Sequence, residues 1–456
     1  MFLEQLEEWV VAINGFVWGW PLIGGILLLG SYLTLRLGIL KFSAIKLSIK
    51  YALEKHDGVG DVSIFGSLCT ALSATIGTGN IVGIAVAVTV GGPGALFWLW
   101  ISSLVSFVIK YSEGLLAIKY RAVGIDGKIT GGPMYYISIG LHGKKYAKPL
   151  SKIFAICGIL VALIGIGTLA QSNSIATALE NSFGLSTIIS TVLIVGAVAA
   201  VILGGIHRIA AVSEKVVPIM TIFYIGAAIV VLLLNYEAIP SIFGMIFHGA
   251  FCPEAIFGTG CAMTISQIVS TGVSRGMFSH ESGLGSCGIA AATARTDSPV
   301  KQGFVSMSGA VLSVIVCTMT GLVIIITSGK MALYSGECTL VGAQLTSQAF
   351  GLGLGIPIVG QYIVDGSVIL FAITTILGWN YYGEKCTQYV FGNAAVLPYK
   401  LIFLLFVALG PFYKINIIFT LADIATGLMT FPNIIGILCH RKIIIEETRK
   451  FMGKRK

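Results

Sequence analysis

Residues 73–83 read Ser73-Ala-Thr-Ile-Gly77-Thr-Gly79-Asn80-Ile-Val-Gly83, and residues 267–278 read Gln267-Ile-Val-Ser270-Thr-Gly272-Val-Ser-Arg275-Gly276-Met-Phe278. Each is an apolar helical run interrupted by glycine and polar residues, and the two sit at matching positions in the two halves of the chain. Lipid offers no partner to an exposed backbone N–H or C=O, so an interrupted membrane helix survives only where it lines a protein cavity. Paired interruptions of this kind point to a transporter with a solute and ion site at mid-membrane.

Composition agrees. With 56 % hydrophobic and 11 % charged residues over 456 positions, the chain has more apolar surface than one soluble core can hide. An all-α integral membrane protein is expected. The acidic start Met1 to Glu8 has no basic n-region and no small-residue cleavage site, so no removable signal peptide is expected. Runs of about 20 apolar residues cross a bilayer, and eleven are found: 13–35, 63–89, 94–119, 152–180, 186–206, 214–234, 255–279, 303–328, 359–382, 396–412 and 416–439.

The distribution of charge tests that count, because lysine and arginine collect in cytoplasmic loops. With the N-terminus outside, all but three of the 29 lysines and arginines fall on inner segments; the exceptions are Lys330 and Lys414, outside, and Lys110, within the third span. The C-terminus then lies in the cytoplasm of a multi-pass cell-membrane protein. The net charge of +9 is thereby explained by the inner face and its anionic headgroups, and no nucleic-acid partner is implied. The nine cysteines form no C-x-x-C pair and have no histidine at ligand spacing, which excludes a zinc or redox motif. Cys252 and Cys338 both fall outside, where pairing and free thiols stay open.

Beyond the first span and a linker (1–62), spans two to six (63–234) and seven to eleven (255–440) form two five-helix units, joined by an extracellular connection (235–254) and followed by a basic tail (441–456). An odd number of spans per unit makes the second enter the membrane inverted, as a 5+5 inverted repeat requires. The interruptions are expected at 77–80 and 270–276, in the first helix of each unit. The segment 41–56, with Lys41, Lys46, Lys50 and Lys55 among apolar residues, suits an amphipathic helix on the inner surface.

At a break, N–H groups opening the second half-helix can hold a carboxylate, and carbonyls ending the first can ligate a cation. Gly77 and Gly79 permit irregular backbone and close ligand approach, Thr75 and Thr78 add hydroxyls, and Asn80 adds a carbonyl suited to sodium. Gly79-x-x-x-Gly83 is equally a helix-packing motif. In the ninth span, Thr374 and Thr375 either back-bond to the preceding turn or ligate a cation, and Trp379 is packing or a lid. Gln171 and Asn173 offer interhelical hydrogen bonds or contact with a substrate amine. Arg275 can neutralise a substrate carboxylate, but the inward exit of the seventh span and the neighbouring His280 and Glu281 favour a cytoplasmic gate at Arg275 and Glu281 or a salt bridge. Lys110 and Glu113 can pair across one helical turn. Buried mid-depth carboxylates are nearly absent, which favours sodium over a proton relay. No nucleophile with base, metal-ligand spacing or Walker-type loop appears, so no enzyme is expected, and a passive channel is the remote alternative.

Five stretches, Ile76–Gly83, Gly92-Pro-Gly-Ala-Leu-Phe-Trp-Leu-Trp100, Thr130-Gly-Gly-Pro-Met-Tyr-Tyr136, Ser274–Ser286 and Thr374–Glu384, resemble the alanine or glycine:cation symporters, a family of the leucine-transporter-like fold class. His280 and Ser282 stand where that family suggests Asn and Ala. The resemblance implies sodium-driven uptake of small neutral amino acids by alternating access. It implies that backbone at Thr78 and Gly79 holds the substrate carboxylate, with Asn80, Gln171, Gly272 and Phe278 around it and Trp379 as lid. It further implies a sodium site of carbonyls near Ser73 and Ile76 with the Thr374 and Thr375 hydroxyls. Sodium is the only cofactor implied, with no organic cofactor and no obligatory protein partner; a relative moving glutamine, or driven by protons, stays open.

Overall fold

The computed structural model describes residues 2–38, 42–54, 58–124, 127–252, 264–334, 338–413 and 416–453. The start of the seventh expected span (255–263), Lys41, Lys55 and Lys414 lie outside them. The described chain is nearly all helical, and its sole described sheet is a two-residue antiparallel pair, β1 (Ala122–Val123) with β2 (Ile129–Thr130).

Helices α1 (Phe2–Val17) and α2 (Trp20–Leu37) supply the first span, and α3 (Phe42–Leu53) follows. Gly38 ends α2 in the left-handed region, where glycine carries no Cβ penalty. In α3, Leu47, Tyr51 and Ala52 are buried while Lys46, Ile49 and Lys50 are exposed. The second span is two helices, α4 (Ile64–Thr75) and α5 (Val82–Gly91), bent by 62°. Ser63 starts α4 by accepting from the Gly66 N–H. Then come α6 (Gly94–Lys119), α7 (Pro133–Ser138), α8 (Ala147–Ile164), α9 (Leu169–Phe183), α10 (Thr187–Ile202), α11 (Gly205–Leu234) and α12 (Ile239–Gly249).

The second half begins with α13 (Ile265–His280), opened by a reciprocal cap between Thr264 and Gln267, and the short α14 (Ser286–Ala291). It continues through α15 (Pro299–Thr327), α16 (Gly342–Leu354), α17 (Pro357–Phe391), α18 (Val396–Leu409), α19 (Asn416–Cys439) and α20 (Arg441–Gly453). Among the described residues, seven helices are long and apolar enough to cross a membrane, or nine if each of two bent pairs is one span. Of the eleven expected spans, the two not among these are the fifth, where α10 has 16 residues, and the seventh, where the described residues hold a 16-residue α13. Sequence reading also left out α12 and α16, which are too short to register as spans. Cys252 and Cys338 are both free thiols.

The elements that matter for function pack across the halves. Helix α13 lies on α5 and α6, α15 lies on α6, and α17 lies on α4, α8, α9 and α11. Each interruption is therefore enclosed by helices of the other half.

Candidate functional site

At the first break the helical bonding of α4 ends with the Ile76 N–H on Leu72 O, and a single 3₁₀ turn, Thr78–Asn80, precedes α5. Thr78 and Gly79 lie in the first turn of a helical segment, where an N–H has no carbonyl behind it. Carbonyls near the end of α4, among them Ser73 and Ile76, lack the next helical donors for the same reason. Ser73, Ile76, Gly77, Thr78 and Asn80 are all buried.

Asn80 is the staple of this turn. Its Oδ1 accepts from the Gly77 N–H at 3.0 Å, while Nδ2 donates to Ser313 Oγ at 2.8 Å and to Cys317 Sγ at 3.2 Å on α15. Thr320 donates to the Asn80 carbonyl at 2.9 Å. The side chain expected to offer its oxygen to a ligand is thus engaged in holding the break open, and α15 supplies partners that no sequence pattern marked.

Three further residues from the second half close on the turn. A Cβ on Gly79 would stand 3.2 Å from the Phe278 ring, and Ser279 Oγ reaches Gly79 O at 3.4 Å. A Cβ on Gly77 would stand 2.5 Å from Thr375 Oγ1. Both threonines back-bond to Phe371 O, Thr375 at 2.8 Å and Thr374 at 3.0 Å; Thr375 lies at the break, while the Thr374 hydroxyl faces Met220 Sδ at 3.6 Å. Trp379 is fully buried, one turn further along α17. Beside it Asn380, which sequence reading passed over, is buried with neither amide atom partnered among the described residues.

Gln171 follows a further interruption between α8 and α9, and its buried Oε1 has no partner among the described residues. Asn173 instead bonds to Gly410 O and Tyr413 O, each at 3.2 Å, which is the interhelical reading of that amide.

The second break corrects the expectation for 270–276. Helix α13 runs unbroken through those residues, and the chain turns at 281–285, where Glu281, Gly283 and Gly285 have φ of 51°, 97° and 82°. Gly272 and Gly276 serve contact with α6: a Cβ on Gly272 would lie 2.4 Å from Ala95 O, and one on Gly276 3.2 Å from Leu99 Cγ. They are helix-packing glycines, so Gly272 lies against α6 and not in the turn.

Buried mid-depth carboxylates are expected to be nearly absent, and this break holds two buried ones. Glu113 and Glu281 are 0 % and 1 % exposed, and Lys110 is 2 % exposed. Lys110 Nζ donates to His280 O at 3.0 Å. Glu113 Oε1 accepts from the N–H groups of Gly283 (2.9 Å) and Gly285 (3.1 Å) and from Asn433 Nδ2 (2.7 Å), and Cys287 Sγ donates to its Oε2 at 3.0 Å. Each therefore reaches its own side of the break. Glu281, expected at a cytoplasmic gate with Arg275, turns inward and accepts from Trp379 Nε1 (3.2 Å) and Ser286 Oγ (2.8 Å), with Thr75 Oγ1 at 3.4 Å. The α13 register separates the two, because a residue six positions before the turn leaves the helix on another side.

The sequence pattern of the Sodium:alanine symporter family matches residues 3–456. The chain is 46 % identical to an uncharacterized transporter of Haemophilus influenzae, over 99 % of this chain and 97 % of that protein. It is 41 % identical to the sodium/alanine symporter AgcS of Methanococcus maripaludis, over 98 % of this chain and 97 % of that one. Among solved structures, MhsT in complex with L-phenylalanine superposes with a TM-score of 0.59 at 14 % identity, covering 86 % of this chain and 96 % of that chain, which is a likeness of fold.

Proposed function

Because the chain belongs to the sodium:alanine symporter family, a family of cation-coupled amino acid symporters and not of enzymes, we infer that it carries small neutral amino acids, alanine and glycine, into the cell with sodium by alternating access. The substrate carboxylate lies on the N–H groups of Thr78 and Gly79 at the first break. Phe278 limits the side chain to a small group, with Trp379 and Gln171 around it. Sodium is held by carbonyls at Ser73 and Ile76 and by the Thr375 hydroxyl, a hard-oxygen set suited to a hard cation. When bound, the ion neutralises carbonyl dipoles left by the broken helix. The two five-helix units rock as an inverted pair, with the N-terminus outside and the C-terminus in the cytoplasm.

What carries this reading is the meeting of both halves at one helix break: Thr375 from α17 at Gly77, and Phe278 from α13 at Gly79. A site assembled from two units changes its exposure when one unit moves against the other. Uptake of labelled alanine into proteoliposomes, under an inward sodium gradient and then a potassium gradient, tests it. Accumulation with sodium alone, displaced by unlabelled glycine, is the expected result. Displacement by glutamine alone moves the substrate assignment, and accumulation driven by a pH gradient without sodium removes the sodium site.

A further inference from the structure

An interrupted helix in a dry interior leaves a carbonyl end and an N–H end, and both need partners. At the first break the substrate and the ion take them. At the second, two side chains three residues apart on α6 take them instead: the Lys110 ammonium on the His280 carbonyl that ends α13, and the Glu113 carboxylate on the Gly283 and Gly285 N–H groups that lead into α14. An ammonium on a carbonyl and a carboxylate on paired N–H groups are the contacts that a zwitterionic amino acid makes.

We propose that Lys110 and Glu113 are a built-in stand-in for a bound zwitterion, filling the second break so that the segment 281–285 is fixed and Glu281 acts as a positioning residue for the site at the first break. The inference rests on the functional reading above. Glu281 lies between the two anchored ends in the left-handed region, where a non-glycine residue stays only if its surroundings hold it. Its carboxylate then spans both flanks of the proposed site, with Thr75 next to Ile76 on one side and Trp379 one turn beyond Thr375 on the other. Ser286 and Trp379 donate to it, as a buried carboxylate requires, and the Thr75 hydroxyl, which back-bonds to Ala71 O at 2.9 Å, stands 3.4 Å away. With the second break already filled, one amino acid binds per chain.

The test uses the full chain in proteoliposomes, with variants Glu281→Gln, Trp379→Phe, their double, Glu113→Gln and Lys110→Met. If Glu281 acts through Trp379, each of those two single changes raises the half-saturating alanine concentration about tenfold and the double is no worse than either, whereas independent residues give about a hundredfold. Additive losses overturn the proposal. Glu281→Asp and Glu113→Asp serve where the larger changes reduce folded protein, and each is expected to restore part of the affinity.

A readout free of transport separates this from failure of the functional reading. In a chain where Trp379 is the remaining tryptophan, Glu113→Gln, Lys110→Met and Glu281→Gln should each remove its protection from acrylamide quenching. Unchanged quenching overturns the proposal even if transport is normal. Lost protection with no sodium-driven uptake by the unmodified chain would instead remove the functional reading and leave the filled second break standing.

Discussion

The Thr375 hydroxyl occupies the space that a side chain on Gly77 would need, since a Cβ there would come within 2.5 Å of its Oγ1. One residue away, Thr374 turns to Met220 on α11. Adjacent residues on a helix point about 100° apart, so one of two consecutive threonines can reach the broken helix while the other cannot.

The first prediction separates them. Thr375→Ala should raise the sodium concentration that half-saturates alanine uptake tenfold or so, since losing one oxygen ligand of the ion costs about as much as losing a hydrogen bond to a charged group, roughly 1.5–3 kcal/mol. Thr374→Ala should move it far less. Thr375→Ser, which keeps the oxygen, should restore most of the affinity. Equal sodium dependence in both alanine variants, at equal folded abundance, would remove Thr375 from the ion site.

The Gly79–Phe278 contact gives a second. At 3.2 Å from the ring, a methyl group on Gly79 must push Phe278 aside or enter the substrate space. Gly79→Ala should lower alanine affinity, and adding Phe278→Leu should recover part of it by freeing room. Loss that Phe278→Leu deepens in full would mean that the two residues act independently. The readout is competition by unlabelled alanine and glycine in sodium-driven uptake.

Much of this architecture was legible in the amino-acid order. Apolar run lengths gave the helical membrane fold, and Gly77-Thr-Gly-Asn80 gave the first break, because glycine beside a polar group inside an apolar run has few other uses. The second break was misplaced by the same rule. Gly272 and Gly276 carry an identical signal but spend it on contact with Ala95 and Leu99, while the turn falls at Glu281-Ser-Gly-Leu-Gly285, which resembles a loop at the end of a span. Asn80 was found but its partners were not, since Ser313, Cys317 and Thr320 lie more than 230 residues away and repeat on α15 with no distinguishing pattern. Lys110 and Glu113 were visible as a helical pair, yet their spacing does not say that they face opposite sides of the break between α13 and α14.

A third prediction follows from that distinction between glycines. A Cβ on Gly272 would stand 2.4 Å from Ala95 O, whereas one on Gly24 meets nothing within 4 Å. Overpacking of this kind costs roughly 1–3 kcal/mol. Gly272→Ala should lower the thermal unfolding temperature in detergent while leaving the sodium requirement of the surviving protein intact, and Gly24→Ala should change neither. A Gly272→Ala protein of unchanged stability but altered alanine affinity would return Gly272 to the substrate site.

The fourth concerns the segments that enter and leave the two breaks. The backbone before α4 is laced to the backbone after α14: Asp61 and Val62 N–H donate to Thr293 O at 2.9 and 3.2 Å, and Arg295 N–H donates to Val62 O at 2.8 Å. Gly60 allows the approach, for a Cβ there would sit 2.5 Å from Ala294 O. Arg121, just past α6, clamps the same strand by donating to Ala294 O at 3.0 Å and Thr296 O at 2.8 Å, with Asp297 Oδ1 at 3.4 Å. A planar guanidinium can serve several acceptors at once, and a lysine ammonium cannot reproduce that fork. Arg121→Ala should therefore loosen the lacing and speed the reaction of Cys287, fully buried on α14, with a soluble thiol reagent, and Arg121→Lys should fall short of restoring protection. Bound alanine with sodium should slow the labelling again in both variants. If Cys287 reacts at the same rate in all three proteins, the clamp does not govern access to the breaks and the lacing of the backbone suffices alone.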